Sequence, residues 1–285
     1  MSASPESKLY LELCQAVAKA RSVFAARHQD RIKLPEDATQ KEAGARKPFL
    51  DIQKFDTEKR LLEKFLDDLV GLLERYEVFD RREIEKLGAI KENTRVQELM
   101  RAVLATDSKG LRQLSTQIDV EMDLLLLVGL NLTQAVLELY AKKLRPKVDQ
   151  KNWLKGICPI CGGHPAIEKL RREDGSRMLH CSLCGTEWHF KRIMCPFCGN
   201  EDHNSLRYFF VEEDSPFGSD AFRVDVCDKC KMYIKTLDER KLAENQKPDL
   251  YLQNLNTLYL DILAQRDGYQ SPTYWMIAPS EDLFA

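Results

Sequence analysis

The chain has 285 residues, 44% of them hydrophobic and 31% charged, with a formal charge of -2. That balance argues for packed cores in about two domains and against a disordered chain or a globally basic nucleic-acid binder. In the helical region the longest unbroken apolar run, Leu124 to Leu130, is far short of a bilayer crossing, so no membrane span is expected.

Residues 1–150 read as all helix. Leu9, Leu11, Val17, Val23 and Phe24 are spread along a first helix ending near His28. Cys14 lies within it as a small buried hydrophobe rather than a ligand. From Gln29 to Asp51 the periodicity lapses and Pro35, Gly44 and Pro48 gather, so this stretch reads as a surface connection. Helical spacing resumes at Leu61, Leu62, Phe65, Leu66 and Leu69, then in shorter segments around Val96 to Leu104 and Leu111 to Ile118. Glu121 to Leu144 is apolar on almost every face early on, as the central helix of a bundle would be, and Pro146 ends it.

Between Cys158 and Cys230 the pattern changes: eight of the nine cysteines form four Cys-x-x-Cys pairs, at Cys158/Cys161, Cys181/Cys184, Cys195/Cys198 and Cys227/Cys230. Two intervening residues let both sulfurs face one cation, and two such pairs complete a tetrahedron of thiolates. Each half reads knuckle, strand, turn, strand, knuckle, strand, which pairs the first knuckle with the second and the third with the fourth. Asp174-Gly175 supplies a hairpin turn in the first half, and Glu212 to Asp220 a longer one in the second. Gly162, Gly185 and Gly199 follow three knuckles directly, as a turn with positive φ demands. Lys231 stands in that place after the fourth.

Three other readings of these cysteines fare worse. Ser2 to Leu13 shows no charged-then-apolar leader, so export to a disulfide-forming compartment is not expected. Thioredoxin-like chemistry places one such pair at a helix start, whereas these sit on hairpins. Polynuclear iron-sulfur clusters draw on denser cysteine runs. Two mononuclear sites remain, and tetrahedral sulfur suits both zinc and iron, with zinc the default on spacing alone.

Residues 151–238 carry 13 Lys or Arg and 13 Asp or Glu. Two tetrathiolate centres would make them acidic, which weakens the zinc-ribbon nucleic-acid reading. Trp188, Phe190, Tyr208, Phe209, Phe210 and Phe222 are therefore read as a small core around the metals rather than as base-stacking residues. His164, His180, His189 and His203 lie close to knuckles, but eight cysteines leave them supporting or surface roles. Glu187 and His189 alternate with Trp188 and share one strand face. Finally, Leu255, Leu258, Tyr259, Ile262 and Leu263 make a helical apolar stripe, Gly268 caps it, and Tyr269 to Ala285 reads as extended chain. No nucleotide-binding glycine loop or nucleophile-plus-base constellation appears, so no catalytic or organic cofactor-binding residues are assigned and an enzyme is not expected.

The run Leu179 to His189 after a Cys-Pro-x-Cys-Gly knuckle resembles the formate dehydrogenase accessory (formation) protein family, FdhE. Lys47-Pro48-Phe49-Leu50-Asp51 and Asp267-Gly268-Tyr269 resemble further elements of that family. The resemblance implies a cytoplasmic accessory protein needed to make active respiratory formate dehydrogenase, with rubredoxin-like iron in the two sites and zinc as the alternative. The expected fold is α+β: a helical domain (1–150), tandem metal modules (151–238, dividing into 151–194 and 195–238), and a C-terminal helix with its tail (239–285). The expected partner is the catalytic subunit of formate dehydrogenase, met through Lys47, Asp51, Glu187 and His189. A one-electron carrier acting on that enzyme is the alternative function, and a zinc-ribbon nucleic-acid binder a weaker one.

Overall fold

The computed structural model describes residues 5–34, 47–52, 55, 57–92, 94–211 and 220–273. The turn expected at Glu212 to Asp220 lies outside these except for its last residue, as do the tail beyond Thr273 and most of the connection from Gln29 to Asp51. The described residues form two compact units: 5–34 with 50–144, and 47–49 with 145–273.

The first unit is helical. It comprises α1 (Pro5–His28), α2 (Lys59–Tyr76), α3 (Arg81–Lys86), a 3-10 turn (Leu87–Lys91), α4 (Arg95–Ala105), α5 (Ser108–Ile118) and α6 (Met122–Leu144). As its sequence predicts, α6 is the hub, buried on nearly every side by α1, α2, α4 and α5. Gly129 lets α4 approach closely, since a Cβ there would lie 2.9 Å from Leu99 and Val103 side-chain carbons. Two of its polar groups are satisfied internally: the Thr133 hydroxyl donates to Gly129 O at 2.7 Å, and Arg21 donates to Asn131 Oδ1 at 3.2 Å. By length and apolarity Met122–Lys147 passes for a membrane span, yet 89% of its most apolar window is buried within the protein. Cys14 is buried here, and desolvation pushes its thiol up to about 11, so it stays protonated and inert.

The second unit is built on one six-stranded sheet. Its strands are β1 (Pro165–Leu170), β2 (Arg177–Cys181), β3 (Glu187–Phe190), β4 (Leu206–Phe209), β5 (Phe222–Cys227) and β6 (Met232–Asp238). They run in the order β3-β2-β1-β6-β5-β4. Each half is an antiparallel meander, and the two join head to tail where β1 pairs in parallel with β6, from Ile167 opposite Lys235 to Leu170 opposite Asp238. The tandem modules thus share one sheet. The turn at Asp174-Gly175 forms as expected, with Gly175 at φ 64°.

One face of the sheet is covered by α7 (Leu250–Asn256) against β1 and α8 (Leu258–Arg266) against β5 and β6. Val224, Val226, Tyr233, Leu260, Ala264 and Tyr269 pack together there. The expected continuous stripe is corrected: the helix breaks at Thr257, Ile262 is 52% exposed, and Leu260, Asp261 and Ala264 face inward. The phase is set by a buried ion pair, Lys235 Nζ to Asp261 Oδ2 at 2.6 Å, to which the Tyr233 hydroxyl also donates at 2.7 Å. An unpaired charge at that depth would cost several kcal/mol, so Asp261 turns inward at the expense of Ile262. Gly268 caps α8 as predicted: at φ 83° it donates to Gln265 O while Tyr269 N donates to Ala264 O.

Candidate metal centres

All four knuckles are built alike. The residue after each second cysteine donates its N–H to the carbonyl of the first: Gly162 to Cys158, Gly185 to Cys181, Gly199 to Cys195 and Lys231 to Cys227, at 2.8 to 3.3 Å. All four of those residues have positive φ, including Lys231 at 58°. Glycine takes this conformation without cost, whereas lysine holds it against an unfavourable Cβ contact.

The knuckles gather the sulfurs into two groups, Cys158/Cys161/Cys181/Cys184 and Cys195/Cys198/Cys227/Cys230, each with its four sulfurs within 4.8 Å of one another. Sγ–Sγ contacts are 3.5 Å for Cys158–Cys184 and Cys161–Cys181, 3.6 Å for Cys195–Cys230 and 3.7 Å for Cys198–Cys227. A tetrahedron with metal–sulfur bonds of about 2.3 Å has edges of about 3.8 Å, so these cages fit one ion each. Burial pushes the Cys158 thiol well above its usual range, and the surrounding thiols do the same at Cys161. Four thiolates this close therefore need a central cation.

The first site is sealed: Cys158 is 0% exposed and Cys161, Cys181 and Cys184 are each 1% exposed. Backbone N–H groups of Ile160 and Leu183 point at Cys158 Sγ and Cys181 Sγ, both at 3.4 Å, and Thr186 Oγ1 lies 3.1 Å from Cys184 Sγ. Arg145 brings positive charge, donating to Cys184 O at 2.9 Å and to Thr186 Oγ1 at 3.3 Å. Trp153 and Trp188 donate to Ile157 O and Lys155 O, fixing the loop that leads into the first knuckle. Phe49 N donates to Pro159 O at 2.9 Å, so residues 47–49 clip onto that knuckle from outside.

The second site is open on one side, because Cys198 is exposed and Cys230 half-buried. Asn200 Nδ2 reaches Cys227 Sγ at 3.6 Å. To reach this site the chain leaves β3 at one sheet edge and enters β4 at the other, passing across the face opposite α7 and α8. Arg177 holds that crossing. Its guanidinium donates to Met194 O at 2.7 Å and Lys191 O at 3.1 Å while pairing with buried Glu168 at 2.6 Å. Glu168 in turn accepts from the Thr236 hydroxyl at 2.8 Å, linking β1 to β6. Between crossing and sheet lies a half-open cavity of about 410 Å³ whose walls include Cys195 and Cys227. The crossing also returns to the first half, where Gly156 packs on the third knuckle so tightly that a Cβ would lie 1.6 Å from Pro196 O.

Of the residues expected to meet a partner, Glu187 and His189 do share one face of β3, while Trp188 and Phe190 point into the core. Glu187 pairs with Lys169 at 2.9 Å. The strand lies at the sheet edge, where the Gln150 side-chain amide spans Glu187 O and His189 N as a surrogate strand would. Lys47 is exposed beside the first knuckle; Asp51, also exposed, belongs to the helical unit. The reading of the aromatic residues as core is corrected in part: Tyr208 is 58% and Phe210 57% exposed. Tyr208 sits on edge strand β4, with the Arg223 guanidinium 4.7 Å from its ring centroid rather than an apolar layer above it. Sequence reasoning missed Arg145 and Gln150, whose partners lie 37 to 41 positions away, and Arg177, which pairs with Glu168 across the hairpin and otherwise bonds to backbone carbonyls that carry no sequence signal.

Two family descriptions cover this region end to end: "FdhE, central domain" over residues 157–192 and "FdhE, C-terminal domain" over residues 193–276. Residues 157–276 thus carry the FdhE central and C-terminal domains. The boundary between the two FdhE domains falls where β3 gives way to the crossing. An FdhE homolog from Aquifex aeolicus is 28% identical over 272 residues, spanning 93% of this chain and 87% of that protein. The FdhE protein of Escherichia coli K12 is 32% identical over 114 residues, 39% of this chain and 34% of that protein. The crystal structure of FdhE from Pseudomonas aeruginosa shares the fold, with a TM-score of 0.61 at 21% identity over 94% of this chain and 92% of that one.

Proposed function

We propose that the protein is a cytoplasmic, non-catalytic accessory factor for maturation of respiratory formate dehydrogenase, binding the immature catalytic subunit through a metal-stabilised platform. The observation that carries this reading is a pair of four-cysteine cages set in one sheet, within a chain that carries the FdhE central and C-terminal domains. Cys158, Cys161, Cys181 and Cys184 hold one ion and Cys195, Cys198, Cys227 and Cys230 the other, with iron the proposed metal and zinc the alternative. The metals fix hairpins too short to bury a sufficient core alone. Lys47, Asp51, Glu187 and His189 contribute to partner contact. The test is restoration of formate dehydrogenase activity in cells lacking their own FdhE-type protein. Wild type restores it, while Asp51→Ala and Glu187→Ala keep both metals and the wild-type melting temperature yet fail. Full restoration by both variants would place the contact elsewhere, and no restoration by wild type would sink the function.

The exposure of Cys198 favours a second reading, a one-electron carrier, because it brings an iron-tetrathiolate centre to the surface. Reversible bleaching of a visible iron band coupled to formate dehydrogenase turnover would support it. A zinc-filled protein that still restores activity would rule it out.

A further inference from the structure

We propose that the cavity between the sheet and the crossing segment is a docking groove for an extended segment of the partner polypeptide in which an acidic side chain adjoins an apolar one. The proposal rests on the accessory-factor reading above and adds a second surface to the contact residues named there.

Charge is the first argument. The walls carry four arginines, Arg177, Arg192, Arg207 and Arg223, against two carboxylates, Glu168 and Asp225, and two sulfurs of the second cage, Cys195 and Cys227. Arg177, Arg207 and Arg223 are paired with Glu168, Asp228 and Asp225. Arg192 is different: it donates to Gly175 O at 2.7 Å and meets no carboxylate among the described residues. A guanidinium in a half-enclosed, arginine-rich groove is a bidentate receptor for a carboxylate. The apolar rim is the second argument. Ile193 is 60% exposed and Tyr208 58% exposed, and both line the same cavity. Large apolar side chains exposed next to an unpaired arginine are what a protein-binding hot spot requires.

The groove also shares a wall with the second metal site. Cys195, Pro196 and Phe197 of the third knuckle and Cys227 of the fourth line it, while no cysteine of the first site does. Loss of the second metal should therefore deform the groove.

The experiment measures binding of a separately produced, cofactor-free formate dehydrogenase catalytic subunit to the purified, metal-loaded protein. Short overlapping peptides from that subunit then locate the segment. Arg192→Glu and Tyr208→Ser should each keep both metals and weaken binding about tenfold or more. Arg192→Lys should lose less, and Ile262→Ser, exposed on the helix-covered face, should bind as wild type does. The bound peptides should pair Asp or Glu with a neighbouring apolar residue. If wild type binds the subunit and both groove variants bind it equally well, the groove is wrong and the accessory-factor reading stands. If wild type does not bind the subunit, that reading fails and the groove assignment falls with it.

Discussion

The two cysteine cages use the same turn and the same ligands, yet the first is walled in on every side and the second faces water through Cys198 and Cys230. The first is lined by N–H donors, a threonine hydroxyl and Arg145, and is clipped by residues 47–49. The second borders a cavity and exposed apolar side chains. The same set of four sulfurs thus stands in two settings. The first group is closed off by the surrounding fold, and the second stands where another molecule can reach it.

Removing one ligand from each cage should expose this difference most sharply. Cys161→Ser leaves a gap that is 1% exposed, with no solvent to complete the coordination, so the ion should be lost along with binding worth on the order of 10 kcal/mol. Cys198→Ser opens a position already at the surface, where water can take the fourth place, and should retain a more weakly held ion. Metal analysis per chain gives the answer, and amide exchange in β1 and β2 should rise in the first variant only. Equal losses would mean the two cages are equivalent.

Gly156→Ala tests how far the cages depend on one another. A Cβ at 1.6 Å from Pro196 O must displace the third knuckle or the loop before the first, costing about 3 kcal/mol or more. Denaturant melts should show that loss, with weakened metal binding at the second site. A neutral outcome would show that the halves do not lean on each other there.

Smaller effects come from the glycines after the knuckles. Gly162 and Gly199 have nearly the same φ, 76° and 71°, but a Cβ at Gly162 meets Pro48 at 3.2 Å whereas one at Gly199 meets nothing within 4 Å. Gly199→Ala should cost only the conformational strain, about 1 kcal/mol, and Gly162→Ala more. Lys231→Gly runs the other way, relieving that strain in the fourth knuckle at the loss of an exposed ion pair with Asp228. Melting temperatures of the three variants should follow that order.

What the sequence made legible was local. Cysteine spacing and the glycines after three knuckles disclosed the cages, and unbroken apolarity from Leu124 to Leu130 disclosed the hub helix. The parallel pairing of β1 with β6 was not legible, because strands nearly 70 positions apart carry no shared period. Nor was the phase of the last helix, where a buried charge on Asp261 overrode the apolar stripe through Ile262. Tyr208 and Phe210 have core chemistry, and only the topology places them at a sheet edge. The arginines that hold the first cage and the crossing bond mostly to backbone carbonyls, which every residue has.

The most direct test of two unequal centres in one sheet is the time course of metal release from the intact protein into excess chelator. Release should be biphasic with one equivalent in each phase, the fast phase accelerated further by Cys198→Ser and the slow phase keeping pace with global unfolding. A single phase carrying both equivalents, or a fast phase that Cys198→Ser leaves unchanged, would contradict the account.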